Sequence, residues 1–239
     1  LGFGIAIGVF LWWLLARIAG WDGIVPTTWT GAGNNLWDNP ANWTNGVPDR
    51  YSDVTIPVVS VFPVVEPGVE AECHNLTIQS GASLTVNSAV TEGGSLIVFG
   101  TSSGNVIYNL QLPEDDLYHY LSPPVSTATL PSAAEFWLWD APTGDWGNPV
   151  TESVSGRGYT TRGRASLSFQ GEVVTGSFSM PATSPYADCD FPFGSVTDYS
   201  LRTFAPDRDN NLDYGGGGFN LLGNPFTSAM DVMMPHRGR

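Results

Sequence analysis

The sequence has no lysine at all and few charged residues of any kind. Its nine positive residues are all arginine, and 23 acidic residues bring the net charge to −14. Charged residues make up only 13% of the chain, which excludes a coiled coil or a helical bundle built on Glu–Lys pairs. So acidic a surface repels phosphate backbones, and we expect no nucleic-acid partner.

Cysteine is equally scarce. Two cysteines, Cys73 and Cys189, are too few for a disulfide scaffold or a cysteine-rich zinc site. They fall in different predicted domains, so we expect two separately buried thiols, although an oxidising compartment would permit a disulfide. Neither His74 nor His119 belongs to an H-x-x-H pair, and neither Ser122 nor any later serine stands in a G-x-S-x-G elbow. The sequence therefore gives no support for a zinc enzyme or a serine hydrolase.

Long apolar runs are absent except at the start of the chain. Residues 1–16 are uninterrupted apolar residues, but as a helix they would span only about 24 Å, short of a roughly 30 Å hydrocarbon core. We interpret residues 1–20 as an export signal. The alternative is a short membrane anchor, which Trp12 and Trp13 would suit. We expect membrane contact only there, and residues 233–239 are interpreted as a tail in a truncated chain.

Glycine, proline and aromatic residues are abundant, which favours short strands joined by tight turns. Residues 25–112 contain strands of four or five residues at intervals of about eight to twelve. Stacked as coils of a short solenoid, they would share one interior column: Leu76, Ile78, Leu84, Val86, Leu96 and Val98. A β-sandwich is the alternative for the same strands. Residues 113–232 show longer period-two strands typical of an antiparallel β-sandwich, including 176–180, 199–204 and 219–222. The predicted fold is all-β.

Asparagine- and tryptophan-rich turns precede the first strands, in WTGAGNNLWDNPANWTNGVPDRYSDVTIP (residues 29–57). This stretch, followed by CHNLTIQSGASLTV, resembles a module of large secreted Bacteroidetes proteins exported by the type IX secretion system. Further segments resemble the same proteins in order: YHYLSPPVSTAT (118–129), FWLWDAPTGDW (136–146), GRGYTTR (156–162) and GFNLLGNPFTSAMDV (218–232). The resemblance implies an extracellular or outer-membrane location and the secretion machinery as a partner.

Two sets of side chains are candidate ligand sites. Trp29, Trp37 and Trp43, with Asn42, have the chemistry of a glycan platform, because indole faces stack on sugars and amides bond their hydroxyls. The alternative is that the rings close the open end of the solenoid. A similar choice applies to Trp137, Trp139 and Trp146, where the two-residue spacing favours a core face.

Oxygen-bearing side chains stand at every second position from 207 to 213 and could together bind Ca²⁺: Asp207, Asp209, Asn211 and Asp213. However, Leu212 stands where a calcium loop needs glycine, and Gly218 where it needs a bidentate glutamate, so an acidic hairpin loop explains the same residues. One of Glu114, Asp115 and Asp116 could supply a carboxylate for glycoside hydrolysis, but that reaction needs another acid facing it across the substrate. No motif places such an acid, so a solvated linker is the simpler interpretation.

No complete catalytic set is present, and no cofactor is expected apart from the calcium alternative. We therefore predict a non-catalytic structural or adhesive segment of an exported cell-surface protein, whose partners would be glycans or other surface proteins. The alternatives are a carbohydrate-binding module using the three N-terminal tryptophans, or an accessory part of a polysaccharide-degrading enzyme.

Overall fold

The computed structural model describes residues 23–126, 128–131, 134–140, 145–163, 166–179 and 220–228, together with Leu15 and Ile18. These residues form fourteen strands and one short 3₁₀-helix, Pro40–Asn42. The fold is all-β, as the turn-rich composition and the period-two patterns predict. Its first part is a stack of parallel coils and its second part is antiparallel.

The first part is a short β-solenoid with three parallel sheets. One sheet holds β1 (Val25–Thr28), β2 (Ser52–Ile56), β5 (Leu76–Ile78) and β8 (Ser102–Ser103), in that order. A second contains β3 (Val64–Val65), β6 (Leu84–Ser88) and β9 (Asn105–Gln111), and a third pairs β4 (Glu70–Cys73) with β7 (Ser95–Val98). Val54 pairs with Leu76, and Leu76 with Ser102, so successive coils advance 22 and then 26 residues.

The predicted interior column is confirmed. Leu76, Leu84, Val86 and Leu96 are at most 1% exposed, Ile78 is buried and Val98 is partly buried against them. The strands of the solenoid bury at most three side chains each, so each coil depends on its neighbours for a continuous core. Stacking is therefore the source of the solenoid's stability.

Polar side chains join the coils at their corners. The Asn109 amide donates to the Asn87 side-chain oxygen at 3.0 Å, and the Asn87 amide donates to the Glu66 carboxylate at 3.1 Å. At another corner the Asn75 amide donates to Asp53 at 2.8 Å, and its oxygen accepts the backbone N–H of Thr101 at 2.8 Å. These ladders tie three successive coils together outside the core.

The second part is an antiparallel sheet in the order β10 (Tyr118–Leu121), β13 (Tyr159–Arg162), β11 (Phe136–Asp140) and β12 (Asp145–Val150). Strand β14 (Ser166–Glu172) pairs instead with β9, so it adds an antiparallel strand to the edge of the second solenoid sheet. Phe136 of β11 contacts Phe169 of β14 edge-on at 6.4 Å. The two layers therefore share one buried aromatic contact.

A later segment, residues 220–228, bonds to both parts. Leu96 donates its N–H to the Thr227 carbonyl at 3.0 Å, and the Thr227 hydroxyl donates to the Leu96 carbonyl at 2.7 Å. At its other end, Gly158 donates to the Leu221 carbonyl at 3.0 Å. The segment thus fastens the antiparallel sheet to the solenoid.

Two of the predicted strands in this part are wrong where the structure describes them. Residues 176–179 are not extended into a strand, and residues 220–222 make only an isolated bridge between Leu222 and Arg157. Residues 176–179 contain one glycine and two serines, which pair weakly without a neighbouring strand to pack on. The predicted strand at 199–204 lies outside the described residues.

Candidate functional site

The three N-terminal tryptophans lie inside a cap at the first coil. Trp29 and Trp37 are 1% exposed and Trp43 is 6% exposed. Trp43 lies between the other two, with edge-on contacts of 4.9 Å to Trp29 and 4.8 Å to Trp37. The expected glycan platform is therefore wrong for these rings, because a sugar cannot reach an indole face that is already packed.

Two of the three cap tryptophans also bond their indole N–H groups inside the cap, whereas the buried indole nitrogen of Trp37 has no partner. The Trp29 indole N–H donates to the Val61 carbonyl and that of Trp43 to the Trp37 carbonyl, both at 2.7 Å. These carbonyls belong to irregular backbone outside the strand ladders, which needs side-chain partners when it is buried. The rings close the end of the solenoid, as the alternative interpretation predicted.

Asn42, the fourth residue of the expected glycan site, holds the cap together. Its side chain is fully buried and accepts the N–H groups of Gly33 at 2.8 Å and Asn34 at 2.9 Å. Its amide donates to the side-chain oxygen of Asn34 and to the Leu36 carbonyl, each at 2.8 Å. A sugar hydroxyl would have to break this network, so the ligand-binding assignment of Asn42 is wrong as well.

A second set of aromatic residues lies on the outer face of the antiparallel sheet. Tyr118 and Tyr120 of β10 are 57% and 68% exposed, and Trp137, Trp139 and Trp146 are partly exposed. The residue before Trp137, Phe136, is fully buried on the opposite face. The sequence expectation that Trp137 and Trp139 face the core is therefore wrong, because alternation fixes which residues share a face but not which face is buried.

The rings on this face reach across neighbouring strands. Tyr120 is opposite Thr160, and Thr160 is opposite Trp137, so the three form one row across the sheet. The Tyr120 and Trp146 rings lie 6.0 Å apart at 20°, although their strands are separated by two others and about 14 Å. The two rings must lean over the intervening strands, which explains why Thr160 is only 3% exposed.

These side chains enclose a cleft of about 360 Å³, here called the aromatic cleft, lined by Tyr118, Tyr120, Trp137, Trp146 and Thr160. Tyr118 meets Trp137 edge-on, at 6.1 Å and 67°. Trp139 supports the far side through an edge-on contact with Trp146 at 5.3 Å. Hydroxyl and indole groups line the cleft, and its volume is that of a small-ligand site.

One ion pair borders the aromatic cleft. The Arg162 guanidinium lies 5.4 Å from the centre of the Tyr118 ring and bonds the Asp116 carboxylate at 2.8 Å. This carboxylate, more than any other group, raises the pKa of Arg162. The positive charge of Arg162 beside the cleft is therefore compensated by Asp116, which reduces its attraction for an anionic ligand.

The acidic run before β10 has a structural role. Asp115 accepts the N–H of Leu117 at 3.0 Å and lies 2.7 Å from Nε2 of His119. The backbone bond from Leu117 and then the bond from His119 lower the pKa of Asp115. The carboxylates of Asp115 and Asp116 thus bond to nearby residues of the chain: Asp115 to Leu117 and His119, and Asp116 to Arg162. These bonds account for the two residues without an acid pair for glycoside hydrolysis.

The remaining candidates are a thiol and a metal loop. Cys73 is a free, fully buried thiol whose pKa is raised to about 12 by burial and the charges of Asp53 and Glu72, so it is unreactive at neutral pH. Cys189 and the calcium candidates Asp207, Asp209, Asn211 and Asp213 lie outside the described residues. Within the described residues, His, Cys, Asp and Glu form no group of three suited to a metal.

The described part of the chain contains no helix with the length and hydropathy of a membrane span. Searches of curated proteins and of solved structures find no match. A protein-family model described as "Domain of unknown function (DUF8693)" matches residues 28–234, which include the cap, the solenoid and the antiparallel sheet. The chain belongs to this family.

Proposed function

We propose that this chain is a non-catalytic structural and adhesive segment of an exported cell-surface protein. In this function the solenoid is a rigid support and the aromatic cleft is the adhesive surface. The observation that carries the proposal is a contiguous group of five aromatic side chains on one sheet face, of which two are exposed and three are partly exposed. Such groups are costly to leave in water and mark interaction sites when they are contiguous.

The solenoid supplies the rigidity that an adhesive surface needs. Its coils share one buried column, and the ladders through Asn87 and Asn75 fix the position of each coil on the next. Strand β14 continues the solenoid sheet and its Phe169 packs on Phe136, directly behind Trp137. A ligand then does not have to order the cleft when it binds, because packing of the sheet on β14 already fixes its conformation.

The chemistry of the aromatic cleft favours binding over catalysis. Its lining consists of four aromatic side chains and Thr160, with no carboxylate or imidazole among them. Glycoside hydrolysis requires two acids facing one bond, and nucleophilic catalysis requires a base beside the nucleophile. The proposed export and the secretion machinery as a partner rest on the resemblance to type IX cargo and on the apolar N-terminal run.

Adhesion can be tested by retention of the purified chain on coated surfaces. The coatings are a mucin-type glycoprotein, collagen, an insoluble neutral glucan and phosphatidylcholine vesicles. We expect retention on at least one coating and at least a tenfold loss for Y120A/W137A. The matched control is Y51A, which removes a tyrosine that is 55% exposed beside the solenoid, and it should bind as the unchanged chain does.

Two results would contradict the proposal. One is no retention on any of the four coatings. The other is equal retention of the unchanged chain and Y120A/W137A on every coating that binds, because adhesion would then not depend on the aromatic cleft.

A further inference from the structure

We infer that the aromatic cleft binds a neutral glycan, an inference that rests on the proposed adhesive function and names its ligand class. The cleft was identified above by exposure and concavity alone. Its side chains, its size and its charge each restrict what can occupy it.

The lining is amphipathic in the same way as a sugar ring. The faces of Tyr120, Trp137 and Trp146 offer apolar area, and the exposed side chains of Tyr118 and Tyr120 add phenol hydroxyl groups to the lining. A pyranose has a C–H face that packs on an aromatic ring and hydroxyls around its rim that need donors and acceptors. A purely apolar ligand would leave the tyrosine hydroxyls unused.

The size of the cleft fits a short glycan segment better than a folded surface. Its volume of about 360 Å³ is near the lower limit for small-ligand sites. Five lining residues are far fewer than the roughly 20 to 30 that each partner contributes to a stable protein interface. A second copy of this chain is therefore the less suitable occupant.

Charge excludes acidic ligands. The net charge of −14 repels anionic polymers at long range, and Arg162 at the edge of the cleft is bonded to Asp116 at 2.8 Å. Anionic membranes are disfavoured for the same reason, since interfacial binding to them relies on free basic residues. A neutral glycan needs no counter-charge, and its hydroxyls suit a cleft of hydroxyl and indole groups.

The inference can be tested by native gel electrophoresis in gels that contain a soluble polysaccharide. The neutral probes are a β-glucan, a galactomannan and a xylan, and the anionic probe is polygalacturonate. We expect at least one neutral polysaccharide to slow the chain and polygalacturonate not to slow it. Y120A and W137A should each weaken the association at least tenfold, W137F should retain most of it, and Y51A should not change it.

Fluorescence titration with oligosaccharides from the retarding polymer gives a second readout, because Trp137 and Trp146 line the cleft. Melting temperatures close to that of the unchanged chain will show that Y120A and W137A are folded. If no neutral polysaccharide slows the chain, the glycan assignment is overturned. Should coated surfaces still retain it in a Y120A/W137A-sensitive way, the adhesive function stands with another ligand, such as collagen or the vesicles. If that sensitivity is also absent, both proposals fail.

Discussion

The N-terminal cap and the antiparallel sheet are both rich in tryptophan, and they place it in opposite ways. In the cap, Trp29, Trp37 and Trp43 are almost completely buried, and two of their indole N–H groups donate to backbone carbonyls. On the sheet, Trp137 and Trp146 lie on the outer face and line a cleft. Tryptophan content alone therefore does not distinguish a structural plug from a binding surface.

The backbone around each set explains the difference. The cap is irregular chain at the end of a stack, where the interior column would meet water and where carbonyls lack strand partners. A tryptophan ring is large enough to cover the end of the core, and its indole N–H can donate to one of these carbonyls. The sheet strands already bond one another, so their outer face needs neither filling nor donors, and Tyr118 and Tyr120 there are exposed to solvent.

The largest expected effect is on the cap. W43A removes the central ring of the cluster and a buried hydrogen bond, so we expect a loss of about 3–5 kcal/mol in the free energy of unfolding. W137A removes a partly exposed ring and should cost only about 1 kcal/mol. Urea unfolding measures both values, and W43F provides an intermediate variant if W43A does not fold. Equal losses for W43A and W137A would contradict the opposite placement of the two sets.

A smaller effect is expected from the polar part of the cap. N42A leaves the N–H groups of Gly33 and Asn34 and the Leu36 carbonyl without their partner, at partly buried positions around a side chain that is itself fully buried. We expect a loss of about 2–3 kcal/mol, because unsatisfied buried groups cost more than the bonds themselves contribute. N148A, on the exposed outer strand of the sheet, should stay within about 0.5 kcal/mol. A loss for N42A as small as that for N148A would show that the cap network is dispensable.

The smallest effect is expected at Asp115, where similar side-chain bonds are made in solvent rather than inside the cap. The pKa of Asp115 is lower in the folded chain than in the unfolded one, so its carboxylate stabilises the fold above the unfolded pKa of about 3.9. This contribution is lost as the pH falls through the folded pKa. D115N keeps the acceptor oxygen and removes the charge.

The melting temperature of D115N should therefore be slightly below that of the unchanged chain at neutral pH, and the difference should shrink as the pH falls below 4. Thermal unfolding followed by circular dichroism at several pH values gives this comparison. A difference that does not change between neutral and acidic pH would mean that the charge of Asp115 is not what stabilises the start of β10.

The sequence predicted a stack of short strands, as a solenoid or a sandwich, because its interior side chains alternate in short β-branched runs. Leu76, Leu84 and Leu96 were placed in one column from spacing alone, and all are buried. Strand β4 was missed because Glu70 and Glu72 face outward and only Ala71 and Cys73 mark the buried side. Strand β8 was missed because two serines carry no pattern.

The candidate site was much less predictable. Trp137 and Trp139 were correctly placed on one face, but whether that face is buried depends on Phe136 and on the packing partner Phe169. Tyr118 and Tyr120 alternate in the same way, and this was the available signal for a second aromatic strand beside them. The row through Thr160 needs the strand order β10-β13-β11, which separates neighbours by up to 40 residues and leaves no local mark in the sequence.

Hydroxyl-radical footprinting of the unchanged chain, read by peptide mass spectrometry with and without the neutral polysaccharide that retards it, tests the central claim most directly. We predict rapid oxidation of Tyr120, Trp137 and Trp146 without the glycan, protection of the same residues with it, and slow oxidation of Trp29, Trp37 and Trp43 in both conditions. Rapid oxidation of the cap tryptophans, or glycan protection of the cap in place of the aromatic cleft, would contradict the account.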